Sequence, residues 1–198
     1  GFRIAKSLVS KDVRTVICAR SRGALSEAAG QLSTTGNEVL WKVCDVGRVE
    51  QVEELVRFSD KQLGGIDILI NNAGTGTFLP VSEMTPEEWH SVMRTNLDSL
   101  FFTCHYTLPI MRREGGGFIV NIGSLAGKNA FPRGAAYCAS KFGLKAFSEA
   151  LMQEVRYDDI RVSYIMPGSV NTEFSGTSPD QESWNLSGQD VADVVIDT

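Results

Sequence analysis

The sequence predicts an α/β fold built on a doubly wound parallel sheet. Three observations carry that prediction: short β-branched runs recur along the chain, helix-length patterns separate them, and several runs end in small or turn-forming residues that would gather at one sheet edge. Strands are expected near Thr15–Ala19, Val39–Cys44, Ile66–Asn71, Phe118–Ile122 and Val162–Met166. These runs are apolar almost throughout, as strands covered on both faces should be, and the segments between them are long enough for right-handed crossovers. One domain is the simplest division of 198 residues at 42% hydrophobic content, which suffices for a substantial core.

The helices carry their own signals. Ile4, Ala5 and Leu8 mark the buried face of an opening helix. Thr85-Pro86-Glu87-Glu88 is a helix start, with Thr85 able to cap, Pro86 tolerated in the first turn and acids at the positive end. That helix carries Asn96. Gly115-Gly116-Gly117 ends the helical region and turns the chain into the next strand, a structural role preferred over phosphate binding. A further helix runs from Tyr137 through Leu151, and Asp190–Thr198 reads as helical too. No internal repeat or linker is apparent.

Composition excludes several function classes. A net charge of −5, with acids scattered through helices, argues against nucleic-acid binding, and Arg112 with Arg113 is too small a basic patch to change that. Cys18, Cys44, Cys104 and Cys138 lack Cys-x2-Cys spacing, so reduced thiols are expected rather than disulfides or zinc, which suits the cytoplasm. His90 and His105 offer little material for a metal or a histidine triad, and no metal ligand set is assigned. No stretch is long and apolar enough to span a membrane.

The chemistry lies in Ser124-x12-Tyr137-x3-Lys141. Tyr137 and Lys141 stand four apart on one helical face, so both can serve one site. A free phenol titrates near pH ~10 and is a poor base at neutrality; a cation one turn away would stabilise its phenolate. Tyr137 could then exchange a proton with a carbonyl or alcohol oxygen while Ser124 holds that oxygen by hydrogen bond. None of these groups transfers hydride, and in the absence of a flavin or metal signature the natural carrier is a nicotinamide dinucleotide. Exposed helices carry Tyr-x3-Lys by chance. Context decides otherwise here, because Ser124 follows one strand, Asn71-Asn72-Ala73-Gly74 ends a second and Pro167-Gly168 ends a third.

On these residues the chain resembles the short-chain dehydrogenase/reductase family in its classical branch, over nearly the whole length from Gly1 to Thr198. The resemblance implies a Rossmann-type three-layer sandwich and a catalytic set of Asn96, Ser124, Tyr137 and Lys141, with Asn96 helping to hold a water that relays protons from Lys141. It implies cofactor contacts at Asn72, Ala73 and Gly74, at Pro167, Gly168, Val170 and Thr172, and at Tyr137 and Lys141. The family's Thr-Gly-x3-Gly-x-Gly phosphate loop is almost absent. Gly1 stands as its last glycine, and the first strand and most of the loop are expected to be missing from the sequence, as is a last strand after the C-terminal helix.

Cofactor choice turns on Arg20, which follows the first recognisable strand where dinucleotide folds place an acid for a ribose hydroxyl or a base for a 2′-phosphate. A guanidinium cannot accept from a hydroxyl, so NADP is expected over NAD, unless residues of the glycine loop set the preference. Asp45 and Val46 resemble the family's adenine-contacting pair, though Asp45 as a simple helix cap is nearly as good a reading. Substrate is expected near Ser124, Leu125, Ala126, Phe131 and Tyr137, and near Phe174 and Trp184 in a polar Gly/Ser/Pro-rich segment that reads as a lid.

A carbonyl reductase or alcohol dehydrogenase acting on a small molecule is the leading expectation. A 3-oxoacyl-carrier-protein reductase is the alternative; it needs a basic docking surface, for which Arg112, Arg113, Lys128 and Arg133 are candidates. A non-catalytic NADP-binding sensor or scaffold is the alternative of another class. Apolar residues including Phe101, Phe142 and Met152 on two helices are compatible with a homodimer or homotetramer, or with burial inside one subunit.

Overall fold

A computed structural model describes residues 1–33, 37–171 and 185–198. In chain order the elements are α1 (Phe2–Val9), β1 (Val16–Ala19), α2 (Arg22–Leu32), β2 (Leu40–Val43), α3 (Val49–Leu63), β3 (Ile68–Asn71), α4 (Pro86–Met93), a π-helical turn (Arg94–Asp98), α5 (Ser99–Glu114), β4 (Gly117–Ile122), a 3-10 turn (Leu125–Gly127), α6 (Ala135–Glu154), β5 (Ile160–Ile165) and α7 (Gly188–Asp197). Every expected strand is present, with ends within two residues of the sequence reading.

All strand pairs are parallel. β1 pairs with β2 from Val16↔Leu40 to Ala19↔Val43, β3 with β4 from Ile68↔Phe118 to Asn71↔Asn121, and β4 with β5 from Gly117↔Ile160 to Ile122↔Ile165. The result is a Rossmann-like arrangement, but the ladder is interrupted. Among the described residues β1-β2 forms one sheet and β3-β4-β5 another, and an apolar cavity of about 680 Å³ lies between the β1 and β3 edges. Val16, Ile17, Ile68 and Ile70 line it. This gap falls where the resemblance puts the family's first strand.

The three layers follow from alternation along the strands. Ile119 and Val162 face α3, α5 and α6, packing with Val52, Val56, Cys104, Met111, Leu151 and Val155. Val120 turns the other way, with Phe118, Ile122 and Ile165 beside it, and meets Ile4 of α1 and Ala192 and Val195 of α7. A third cluster joins Ala5 and Val9 to Ala29, Leu32 and Val39, tying α1 and α2 to the smaller sheet.

Local signals act as expected. Thr85 accepts from the Glu88 backbone N–H and the Glu88 carboxylate accepts from that of Thr85, a reciprocal cap that fixes the start of α4. Gly115, at φ +88°, ends α5 in the left-handed region. Cys44, Cys104 and Cys138 are buried, Cys18 is exposed, and all four thiols are free.

Candidate active site

The C-terminal ends of the strands, where open α/β sheets place their ligands, surround a cavity of about 890 Å³. Each wall comes from a strand end. Arg20 follows β1 and Asp45 and Val46 follow β2; Asn72, Ala73 and Gly74 follow β3; Ser124, Leu125 and Ala126 follow β4; Pro167, Gly168, Ser169 and Val170 follow β5. Gly1 also lines it, and α6 contributes Tyr137 and Lys141. The Thr172 and Phe174 positions, with Trp184 and the proposed lid, lie outside the described residues.

Tyr137 and Lys141 occupy successive turns of α6, so the helical repeat aims both into the cavity. Tyr137 stands near enough to Ser124 for the serine to favour its phenolate, and the Lys141 ammonium sits 5.8 Å from the Tyr137 ring centroid. Lys141 is only 5% exposed and donates from Nζ to the Ile122 carbonyl at 3.0 Å. Burial pulls its pKa down to about 8.

The phenol differs from the sequence expectation. Burial dominates and raises the Tyr137 pKa, and the neighbouring Ser124 hydroxyl lowers it only in part. The resting side chain is therefore a protonated phenol at neutral pH. That suits a proton donor better than a standing base.

Asn96 sits in the π-helical turn between α4 and α5 and is 1% exposed. Such wide turns re-aim one side chain within an otherwise regular helix, and they recur at functional sites. Its Oδ1 accepts from the Thr75 N–H at 2.8 Å, while Nδ2 donates to the Thr75 carbonyl at 2.8 Å and to Ser140 Oγ at 2.9 Å. Both amide hydrogens are thus committed to holding the loop after β3 against α6. Ser140 donates in turn to the Tyr137 carbonyl at 2.7 Å. Ser140 and Thr75 were missed from sequence, although Ser140 is a small polar residue on the same buried face as Tyr137. Phe78 was missed too; it follows the Gly74-Thr75-Gly76 turn and packs edge-on against Tyr137, with centroids 5.6 Å apart.

The lining suits a dinucleotide. A Cβ on Gly74 would stand 3.5 Å from Asn96 Oδ1 and 3.8 Å from Lys141 Nζ, so a bare backbone is presented between them. Arg20 is exposed and makes no ion pair among the described residues. Asp45 is partly engaged, its Oδ1 accepting from the Gly47 N–H at 3.0 Å within the loop; the helix that follows is capped at Arg48, so Asp45 is not its cap. Of the phosphate loop only Gly1 is represented in the lining.

The short chain dehydrogenase family model matches residues 1–183. A Streptomyces coelicolor protein provisionally named a ketoacyl reductase is 33% identical over 197 residues, covering 98% of this chain and 76% of that protein. Among solved structures, an alcohol dehydrogenase from Thermococcus sibiricus complexed with 5-hydroxy-NADP is 28% identical with a TM-score of 0.92, over 98% of this chain and 83% of the other. A metagenomic short-chain oxidoreductase in complex with NADP is 32% identical with a TM-score of 0.86, over 99% and 83%. With its strand-end cavity and its Ser124, Tyr137 and Lys141 in register, the chain belongs to the short-chain dehydrogenase family of oxidoreductases.

Proposed function

We propose that the protein is an NADP-dependent carbonyl reductase, interconverting a carbonyl and a secondary alcohol with Tyr137 as the acid/base. The observation that carries this is the convergence of Ser124, a half-buried Tyr137 and the Lys141 cation on one cavity. A bound nicotinamide dinucleotide supplies the hydride. In reduction Ser124 holds the substrate oxygen, and Tyr137 donates its proton to that oxygen as negative charge develops there. The Lys141 ammonium stabilises the phenolate that remains, which matters because burial disfavours it. In oxidation the same phenolate takes the alcohol proton. Asn96 Oδ1 and Lys141 Nζ converge on Gly74, which keeps the proton relay expected by resemblance within the proposal.

Arg20 would pair with the 2′-phosphate, Asp45 and Val46 would meet the adenine, and Asn72, Ala73 and Gly74 would lie along its ribose. Tyr137 and Lys141 would orient the other ribose, and Pro167, Gly168 and Val170, with Thr172, would border the nicotinamide. Two neighbours with bound NADP or 5-hydroxy-NADP support the choice of cofactor.

The carrier-protein alternative draws support from the Streptomyces relative. Its docking surface is reduced, however: Arg112 pairs with Asp158, and Arg113 with Asp60 and Glu114. Lys128 and Arg133 remain exposed beside the mouth. A sensor without turnover has no feature here that favours it. Exposed Phe101, Phe142 and Met152 on α5 and α6 support assembly through those helices, and four free thiols support a reducing, cytoplasmic setting. No helix of the described residues is long and apolar enough to cross a membrane.

Tyr137→Phe tests the reading, since it keeps the ring against Phe78 and removes the hydroxyl that carries the proton. We expect kcat for ketone reduction to fall by roughly 10²–10⁴-fold, the usual worth of a general acid, while NADPH affinity falls by no more than about tenfold, the worth of one ribose hydrogen bond. Full turnover by the variant would overturn the mechanism.

A further inference from the structure

We propose that Phe78 and Phe131 form an aromatic shelf that selects uncharged carbonyl compounds whose carbonyl adjoins a flat ring, with Phe78 the specificity-determining residue. The inference rests on the reductase reading and names the substrate class of that site.

Two rings stand at one side of the cavity with centroids 5.9 Å apart and planes tilted by 42°. Phe78 also meets Tyr137 edge-on at 70°, so the shelf is joined directly to the proton donor. Both phenylalanines keep open surface, 38% for Phe78 and 42% for Phe131, and Leu125 extends the apolar area at 45% exposed. Their placement is built in. A Cβ on Gly134 would meet the Phe131 ring at 2.5 Å, so the glycine before α6 leaves room for that ring to lie against the helix start.

Charge reinforces the apolar shape. Of the charged side chains lining the cavity, Arg20 and Asp45 belong to the β1-β2 side, and Lys141 already donates to the Ile122 carbonyl. Beside the shelf the described polar residues are neutral: Thr95, Asn129 and Ser169. Among the described residues that line the cavity a carboxylate on the substrate would find no cation beside the shelf, exposed Lys128 and Arg133 standing outside that lining, and it would lose part of its hydration. A ring laid against the outer faces of Phe78 and Phe131 gains both burial and quadrupole contact, and its attached carbonyl is brought to Ser124 and Tyr137. A straight chain of equal carbon count gains burial only.

The test compares NADPH-dependent reduction of acetophenone, 2-octanone and pyruvate by the wild type, Phe78→Ala and Phe78→Tyr, with NADPH affinity followed by fluorescence. Wild type should favour acetophenone over 2-octanone by about tenfold in kcat/KM, with pyruvate poorest. Phe78→Ala should lose most of that preference through KM for acetophenone, Phe78→Tyr should keep it, and NADPH affinity should not move. Turnover without ring preference in the wild type, or equal losses on both ketones in Phe78→Ala, overturns the shelf and leaves the reductase reading intact. Tight NADPH binding with no turnover of these ketones or of an acyl thioester overturns that reading, and the shelf falls with it.

Discussion

Lys141 carries the largest electrostatic burden of any single residue in the site. An ammonium that is 5% exposed has lost nearly all its water, and it donates to the Ile122 carbonyl. Its pKa stands at about 8, against an ordinary value of 10.5. Below pH 8 folded and unfolded chains both hold the proton, and the folded state bears the full cost of burying the charge. Between about 8 and 10.5 the unfolded chain binds more protons than the folded one, so stability rises with pH across that window. The gap is worth about 3 kcal/mol as an upper estimate. Lys141→Met should therefore be catalytically dead yet more stable than wild type by about 1–2 kcal/mol at pH 7, after allowance for the lost hydrogen bond. The advantage should vanish or reverse by pH 10.5, where wild type keeps its bond to Ile122 without the charge. Urea denaturation at the two pH values measures this, and equal destabilisation at both would show that the ammonium is not strained by burial. The same titration predicts that ketone reduction declines as pH passes about 8, since protonated Lys141 is what holds the phenolate.

At the scale of elements, the distance between Ser124 and Tyr137 is set by how closely the 3-10 turn after β4 approaches α6. Gly127 governs that approach. A Cβ there would lie 2.7 Å from the Lys141 carbonyl oxygen and 3.1 Å from its carbonyl carbon, both backbone atoms that cannot move without bending α6. Gly127→Ala should separate the turn from the helix, costing about 1–3 kcal/mol by overpacking and lowering kcat more than it weakens NADPH binding, because Ser124 moves while the other cofactor walls stay. Thermal denaturation and steady-state kinetics together decide it; a variant with unchanged stability and kcat would mean the turn is not held by this contact. Sequence made the strands legible because β-branched runs buried on two faces leave an unbroken apolar signature, and it made the start of α4 legible because Thr85 and Glu88 are three apart. It placed Ser124, Tyr137 and Lys141 on a turn and one helix face for the same reason. The π-helical turn at Asn96 has no such mark, since one extra residue per turn depends on tertiary contacts to Thr75 and Ser140. Phe78 was equally silent: an aromatic four residues past Gly74 becomes informative only when the chain folds it onto Tyr137.

Across the whole molecule, the described strands form two sheets with no ladder between β1 and β3, at the place where the resemblance puts the family's first strand. The cavity bridges them. Arg20, Asp45 and Val46 hang from the β1-β2 sheet, whereas Asn72, Ala73, Gly74, Pro167 and Gly168 belong to the three-stranded sheet and Lys141 to the helix packed on it. A dinucleotide lying along these residues would touch both groups of strands. At 100 times its dissociation constant NADPH should add about 2.7 kcal/mol, or roughly 5–10 °C in Tm for a chain of this size. Hydrogen exchange should slow in Val16–Ala19, the strand whose end lines the cavity and leads into Arg20. Arg20→Ala should weaken NADPH by about 10–100-fold, the worth of a charge-assisted bond, and leave NADH nearly unchanged. If NADPH raised Tm while exchange in Val16–Ala19 and the Arg20→Ala affinity both stayed constant, the ligand would be held by the larger sheet alone. The 2′-phosphate would then have to be recognised elsewhere.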